Sequence, residues 1–311
     1  MAYYLGIDGG GSKTTCVVGD ESSVLATVKA GASNITRVGE AAAREALQQA
    51  IREACLAAKI NPQQVLCACI GAAGAGREEI ASTVREMVAE IVPGEIEVVG
   101  DMEIALAAAF GKEPGVIVIA GTGSIVFGRD AHGKVARAGG WGFAISDEGS
   151  AHWIGLAAVR AALRAADEVG EDQAERDPTW PARRLFSELK TAWSLNSLPQ
   201  LARAANANPD FAALFPAVLA AAEAGDGVAR RVIAEASGEL AQLAGIVLRR
   251  LFSAQDSSAV PMAMAGGVFR HAAMIRELFY NEVRAANPDV VLNPEVVDPV
   301  HGALQMARRA G

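Results

Sequence analysis

Ile7-Asp8-Gly9-Gly10-Gly11-Ser12-Lys13-Thr14, followed by Thr15-Cys16-Val17-Val18, is the stretch that decides the fold of this chain. An apolar strand runs into a glycine turn bearing hydroxyls and returns as a second apolar strand. The same design recurs farther along, where Ile119-Ala120-Gly121-Thr122-Gly123-Ser124 leads into Ile125-Val126-Phe127. Glycine permits the positive φ of a tight turn and lets backbone N–H groups approach a ligand closely. Such N–H groups, beside Ser and Thr hydroxyls, make an anion-binding concavity. Two of them in one chain imply a polyphosphate held from two sides.

Around the first turn, Tyr3 to Ile7, Thr14 to Val18 and Val24 to Val28 read as a three-strand meander. Leu47, Ile51, Ala54 and Ala58 then recur at helical spacing, with Arg44, Gln48 and Arg52 opposite. Asn61-Pro62 ends that helix. Val65 to Ile70 reads as a buried strand, Ile80, Val84, Met87 and Ile91 as one stripe of a second helix, and Ile96 to Val99 as another strand. A short alanine-rich helix, 102–110, closes the unit. Gly111-Lys112-Glu113-Pro114-Gly115 reads as a boundary, after which strand, glycine turn and strand start again at Val116. The pattern is one βββαβαβα unit followed by a second with inserts.

The second unit has a hairpin around Asp130-Ala131-His132-Gly133 and a helix from near Ser150. Residues 168–181 read as a polar loop. Residues 183–252 read as mostly helical, with one core helix at 228–252. Met262 to Ala265 is a strand into Gly266-Gly267, and the tail from His301 is helical. The expected fold class is α/β, with a mixed sheet in each half and ligands in the crevice between them. The expected domains are 1–112 with the C-terminal helix 299–311, and 113–298 carrying a helical insert.

The chain has 311 residues, 51% hydrophobic and 21% charged, enough to bury a large core. A net charge of −8 argues against a nucleic-acid binder, which shows a basic face. No apolar run approaches the ~18 residues of a membrane span. Met1-Ala2-Tyr3-Tyr4-Leu5 lacks a basic leader region, so no signal peptide is expected and the cytoplasm is. Cys16, Cys55, Cys67 and Cys69 fall mostly in apolar patterns, as buried small hydrophobes do. His132, His152, His271 and His301 do not cluster with them, so no zinc site is expected. Gly11-Ser12-Lys13-Thr14 is not a Walker A motif, because no glycine immediately precedes the lysine and a strand follows.

Several side chains carry two readings. Asp8, at a strand end beside the first turn, can hold Mg²⁺ or bond its own turn. Lys13 can touch a phosphate or face solvent. Asp101 follows a strand and precedes a helix, so it lies at the mouth of the crevice or caps that helix. Asn34, in Gly31-Ala32-Ser33-Asn34, offers sugar hydroxyls one acceptor and two donors, or is a left-handed turn residue. Trp141 between glycines is exposed or tightly bent, shaping a pocket or crevice wall. Asp147 and Glu148 precede a helix, where one can cap and both can grip hydroxyls.

These turns resemble the sugar-kinase, Hsp70 and actin ATPase superfamily, and within it the N-acetylglucosamine kinase branch of the BadF/BadG/BcrA/BcrD group. The resemblance covers nearly the whole chain. Asp8 to Thr14 resembles the first phosphate motif, Gly121 to Ser124 the second, and Ala265-Gly266-Gly267-Val268 the adenosine motif. Gly139-Gly140-Trp141-Gly142-Phe143-Ala144-Ile145-Ser146-Asp147-Glu148-Gly149-Ser150-Ala151-His152-Trp153-Ile154-Gly155 is the most specific match. The resemblance implies two ribonuclease H-like, actin-like ATPase domains and a homodimer.

It also implies ATP bound by Gly9, Gly10, Gly11, Ser12, Lys13, Thr14, Gly121, Thr122, Gly123, Ser124, Gly266 and Gly267, with Mg²⁺ at Asp8. Asp101 would be the base. Asn34, Gly74, Asp101, Thr122, Gly140, Trp141 and Asp147 would meet the sugar. The loop Ala72-Ala73-Gly74-Ala75-Gly76 lacks hydroxyls that some members carry there. The implied reaction is ATP-dependent phosphorylation of an amino sugar, N-acetylglucosamine first, to its 6-phosphate. Glucosamine and N-acetylmuramic acid are alternatives in the same class. A partner-coupled ATPase of the 2-hydroxyacyl-CoA dehydratase activator type, with an iron–sulfur cluster, is an alternative from another class and needs exposed cysteines. A sugar sensor is a third, which Asp8 and Asp101 argue against.

Overall fold

A computed structural model describes residues 2–207, 209–252 and 259–311. Asn208, inside the expected helical stretch, lies outside them. Strands β1 (Tyr3–Gly9), β2 (Thr14–Gly19) and β3 (Val24–Ala30) form an antiparallel meander, and β4 (Val65–Ala72) and β5 (Glu95–Gly100) extend it in parallel. The sheet order is β3-β2-β1-β4-β5. Strands β6 (Gly115–Ala120), β7 (Ser124–Arg129), β8 (Val135–Gly139), β9 (Val260–Ala265) and β10 (Val290–Val297) repeat that order, as β8-β7-β6-β9-β10. The expected repeat is present.

Helices α1 (Ile35–Val38), α2 (Glu40–Ala57), α3 (Glu78–Ala89) and α4 (Asp101–Phe110) complete the first unit. Side chains alternate across β1, as the two-residue period of a strand requires. Leu5 and Ile7 join Leu47, Ile51 and Ala54 of α2 and Val84 and Met87 of α3 on one face of the sheet. Tyr4, with Val17, Cys67 and Cys69, faces the other way. Ala58 and Ile91, expected on the buried stripes, lie just past their helix ends.

The second unit contains α5 (Ala151–Asp167), α6 (Glu171–Arg176), α7 (Arg183–Trp193), α8 (Leu198–Asn206), α9 (Phe215–Glu223), α10 (Gly227–Leu251), α11 (Gly267–His271), α12 (Ala273–Ala286) and α13 (Pro299–Ala310). Helix α6 interrupts the stretch expected as a loop. Strand β10 and helix α12 were not apparent in the sequence. In β10 the pairing register shifts between Leu292 and Val296, around Pro294. Proline is tolerated on an edge strand at such an irregularity, but it breaks the sequence pattern of a strand. Among the described residues no single helix is long and apolar enough to cross a membrane.

Helices α4 and α13 cross between the sheets. Ile104 of α4 packs with Val300, Ala303 and Leu304 of α13 against the first sheet. The neighbouring Ala105 and Leu106 pack against Ile117 and Phe127 of the second. A helix apolar on both sides is one buried between two layers. The crossing is tight, because a Cβ on Gly302 would collide with the Ile104 carbonyl oxygen.

Candidate active site

The first glycine turn is strapped to the segment after β3. The Gly10 N–H donates to the Lys13 carbonyl at 3.0 Å, and the Ser33 N–H donates to the Gly10 carbonyl at 3.2 Å. The Thr14 hydroxyl bridges to the Gly31 carbonyl and to Ser33 Oγ, both at 2.7 Å. This places Asn34 beside the turn. Asn34 is extended (φ −70°), not left-handed, and caps α1: its Oδ1 accepts from Thr36 N at 3.1 Å and Thr36 Oγ1 at 2.7 Å. Its Nδ2 group is uncommitted to any described residue and can donate to a ligand.

The two phosphate-type turns meet face to face, with Ser12 Oγ and Thr122 Oγ1 2.6 Å apart. The carbonyls of Gly121 and Thr122 accept from Ala151 and His152 at the start of α5. Ser150 caps that helix, its Oγ accepting from Trp153 N at 3.1 Å. The Ser124 hydroxyl is buried and donates to the Glu148 carbonyl at 2.7 Å. Thr14 and Ser124 thus spend their hydroxyls on the fold. The third turn sits on the second: Gly266 has φ +99°, and a Cβ there would collide with the Ala120 carbonyl oxygen. Gly267 begins α11.

Carboxylates converge at these strand ends. Asp8 stands in register with Gly71 of β4. Burial, then the charges of Asp101 and Asp298, push its carboxyl up to about 7, against the opposing pull of Lys13 and Arg270. Asp101 is the first residue of α4 rather than its cap: Gly100 holds the cap position, and the Gly100 N–H donates to Glu103 Oε1 at 3.1 Å. Asp101 Oδ1 accepts from the Met102 N–H at 3.0 Å, and burial raises its carboxyl above the usual range. Asp147 is held at φ +62°, and its Oδ1 accepts from the Gly142 N–H at 3.3 Å. Its Oδ2 would stand 2.6 Å from a Cβ on Gly123, so the carboxylate is pressed under the second turn. Burial, Glu148 and Asp101 raise it. Asp101 is therefore the acid that couples to both Asp8 and Asp147.

Trp141 is 68% exposed, with the Arg137 guanidinium 3.9 Å from its ring centroid. Gly140 and Gly142 on either side have φ +68° and +105°, and a Cβ on Gly140 would stand 2.7 Å from Ile125 Cδ1. Gly74, at φ +85°, lies in the turn after β4, beside Arg77 and Ile80. Its strand adjoins β1 at the end that bears Asp8 and Gly9.

Four residues of this region were not singled out in the sequence: Asp298, Arg270, Arg37 and Asp210. Asp298 directly follows β10 and holds the cap position of α13, as Asp101 directly follows β5 and is the first residue of α4. The repeat would have revealed it had β10 been recognised. Asp298 pairs with Arg270 at 3.6 Å.

The donor set suits Mg²⁺, whose hard charge takes oxygen ligands and keeps several waters. Asp8 is a mostly buried carboxyl held among like charges, which a cation would relieve. Among the described residues no three His, Cys, Asp or Glu side chains close to a full metal cage.

Two mixed sheets facing each other across a crevice of glycine turns define the actin-like ATPase class. Residues 5–307 match the model of the BadF/BadG/BcrA/BcrD ATPase family, and the chain belongs to that family. It is 34% identical, over 99% of each chain, to an N-acetylmuramic acid/N-acetylglucosamine kinase of Clostridium acetobutylicum. It is 28% identical, over 98% of this chain and 97% of the relative, to an N-acetyl-D-glucosamine kinase of Dictyostelium discoideum. The crystal structure of a presumed N-acetylglucosamine kinase from Chromobacterium violaceum superposes with a TM-score of 0.76 at 25% identity, over 99% of both chains.

Proposed function

We propose that this protein transfers the γ-phosphoryl group of ATP to the 6-hydroxyl of an amino sugar, N-acetylglucosamine first and N-acetylmuramic acid or glucosamine next. The observation that carries the reading is the position of Asp101. It directly follows β5, is not consumed as a helix cap, and its charge acts on Asp8 and Asp147. Burial raises its proton affinity, which suits a base that takes the proton of a sugar hydroxyl. The named relatives support the substrate class.

Asn34 donates from Nδ2 to a sugar hydroxyl, and Asp147 accepts from others. Trp141 and Gly140 wall the sugar, and Gly74 borders it. The backbone N–H groups of Gly9 to Lys13 and of Gly121 to Ser124 clamp the phosphates from opposite sides, and Gly266 and Gly267 face the adenosine. Lys13 adds a cation at the phosphate side of Asp8. Asp8 would hold Mg²⁺, which when bound neutralises charge on the β- and γ-phosphates. Residues 1–112 with 299–311 move as one body and 113–298 as the other, and their closure excludes water from the phosphoryl group.

Four buried, unpaired cysteines fit a reducing compartment, the cytoplasm. The family resemblance alone supports a homodimer. The iron–sulfur alternative loses its support, because Cys67 and Cys69 are fully buried in the layer under α4 and α13.

Coupled ADP release with Mg·ATP against N-acetylglucosamine, glucosamine, N-acetylmuramic acid and glucose tests the reading. Sugar-dependent turnover that collapses in Asp101→Asn is expected. Turnover that no sugar stimulates, or that survives the substitution, refutes it.

A further inference from the structure

Besides the Arg129 guanidinium donating to the Gly111 carbonyl at the boundary between the halves, two polar contacts among the described residues join the segments around the two glycine turns. One is the Ser12–Thr122 hydroxyl pair. The other is an ion pair, in which Arg37 Nη2 donates to Asp210 Oδ2 at 2.8 Å across a sequence separation of 173. Arg37 stands in the last turn of α1, the helix that Asn34 caps. Its guanidinium also lies against the first glycine turn. A Cβ on Gly11 would stand 3.6 Å from Arg37 Nη1 and 3.7 Å from Thr122 Cβ. Asp210 is anchored in turn: its Oδ1 accepts from the Ala212 N–H at 3.1 Å, starting the short helix Phe211–Leu214. The Phe211 ring meets His152 edge-on at 5.4 Å, at the end of α5 that seats the second turn.

We infer that Arg37 is a positioning residue: through Asp210 it draws the first glycine turn and Asn34 into register with the second turn when the crevice closes. The inference rests on the reading of the crevice as an amino-sugar site. A partly exposed ion pair adds little to folding stability. An ion pair that spans the two halves nevertheless shifts the closing equilibrium by the difference in its worth between the open and closed forms. The signature is therefore a weakened grip on substrate in a protein that melts normally.

The test is a charge-reversal cycle of Arg37→Asp, Asp210→Arg and the double variant. Each single reversal is expected to raise the sugar KM about five- to ten-fold, with kcat changed less than about two-fold. Melting temperatures stay within about 2 °C of wild type, since surface changes of this kind cost little. The double reversal is expected to return KM to within about two-fold of wild type. Should a reversal fold poorly, Arg37→Gln, Asp210→Asn and their double make a neutral cycle, in which the double is expected to lose no more than either single. A double reversal no better than the singles, or a neutral double that loses the sum of both singles, overturns the inference. So does a loss confined to the carboxylate-bearing N-acetylmuramic acid with N-acetylglucosamine unaffected, which would make Arg37 a direct reader of the substrate.

Small-angle scattering separates this inference from the kinase reading. Contraction on adding Mg²⁺ and a non-hydrolysable ATP analogue, seen in wild type and double reversal but lost in the singles, supports the pair whichever sugar is the substrate. Equal contraction in all four proteins overturns it.

Discussion

The first sheet and the second share one strand order, yet they end in different chemistry. The turn after β1 is flanked by Asp8 and Lys13, whereas the turn between β6 and β7 carries only glycines and hydroxyls. After the fifth strand each half has an aspartate, but their surroundings differ. Asp101 is pushed toward protonation by burial, and no ion pair among the described residues involves it. Asp298 is 38% exposed and paired with Arg270. At this one position the first half leaves its aspartate to burial, and the second has offset its counterpart with a guanidinium. A duplicated scaffold can thus give the two copies of one position different charge environments.

The sharpest way to break this contrast is to remove each aspartate in turn. Asp101→Asn is expected to lower kcat by about 10²–10⁴, the usual worth of a general base. Asp298→Asn is expected to lower it by less than about ten-fold, because its charge is already balanced. Equal losses in steady-state ADP release would erase the asymmetry.

Two helical glycines extend the contrast to stability. Gly302→Ala forces a methyl into the Ile104 carbonyl and is expected to cost about 3 kcal/mol, read by thermal melting. Gly238 in α10 has open space around its Cβ position, so Gly238→Ala is expected to stabilise by up to about 1 kcal/mol. If both alanines melt alike, the crossing of α4 and α13 is not the tight point of the molecule.

Asp8 gives a pH-dependent test. Its carboxyl ordinarily titrates at 3.8 and stands at about 7 in the folded chain, so folding favours the protonated form. Its stabilising contribution is therefore full below 3.8 and is lost as pH rises through about 7. The metal-free protein is expected to melt at progressively lower temperature as pH rises from 3.8 to about 7, and Asp8→Asn to flatten that slope while abolishing turnover. Added Mg²⁺ is expected to raise the melting temperature more at the upper end, where the carboxylate is charged. Parallel melting profiles for the two proteins would count against a strained Asp8.

The smallest effect belongs to the exposed ring of Trp141. Trp141→Ala is expected to raise the sugar KM roughly ten-fold, about 1.4 kcal/mol, without moving the melting temperature. An unchanged KM would remove Trp141 from the sugar side.

Local features were the most legible in the sequence. The glycine turns, the β1–β2–β3 meander and the helix starting beyond Ser150 depend on residues close in the chain, and each stands where its pattern placed it. Asp101 was placed at the right strand end, but its neighbour Gly100 took the cap position, which only backbone geometry reveals. Strand β10 was hidden because Pro294 disrupts its alternation, and with it went the symmetry that would have singled out Asp298. Arg37 and Asp210 carried no signal, since a contact across 173 residues leaves no trace in local pattern. The pressing of Asp147 under Gly123 belongs to the same class.

The four cysteines open an experimental route. All are buried, and burial pushes the Cys55 and Cys67 thiols up to about 11 and those of Cys16 and Cys69 higher still. Thiolate is the reactive form, so the native chain is nearly silent to thiol-directed labels. Spin labels can therefore be attached at chosen surface sites without first deleting any natural cysteine. Ala41→Cys and Arg203→Cys, both exposed and set in opposite halves, would turn the crevice into a ruler whose length is read by pulsed electron resonance.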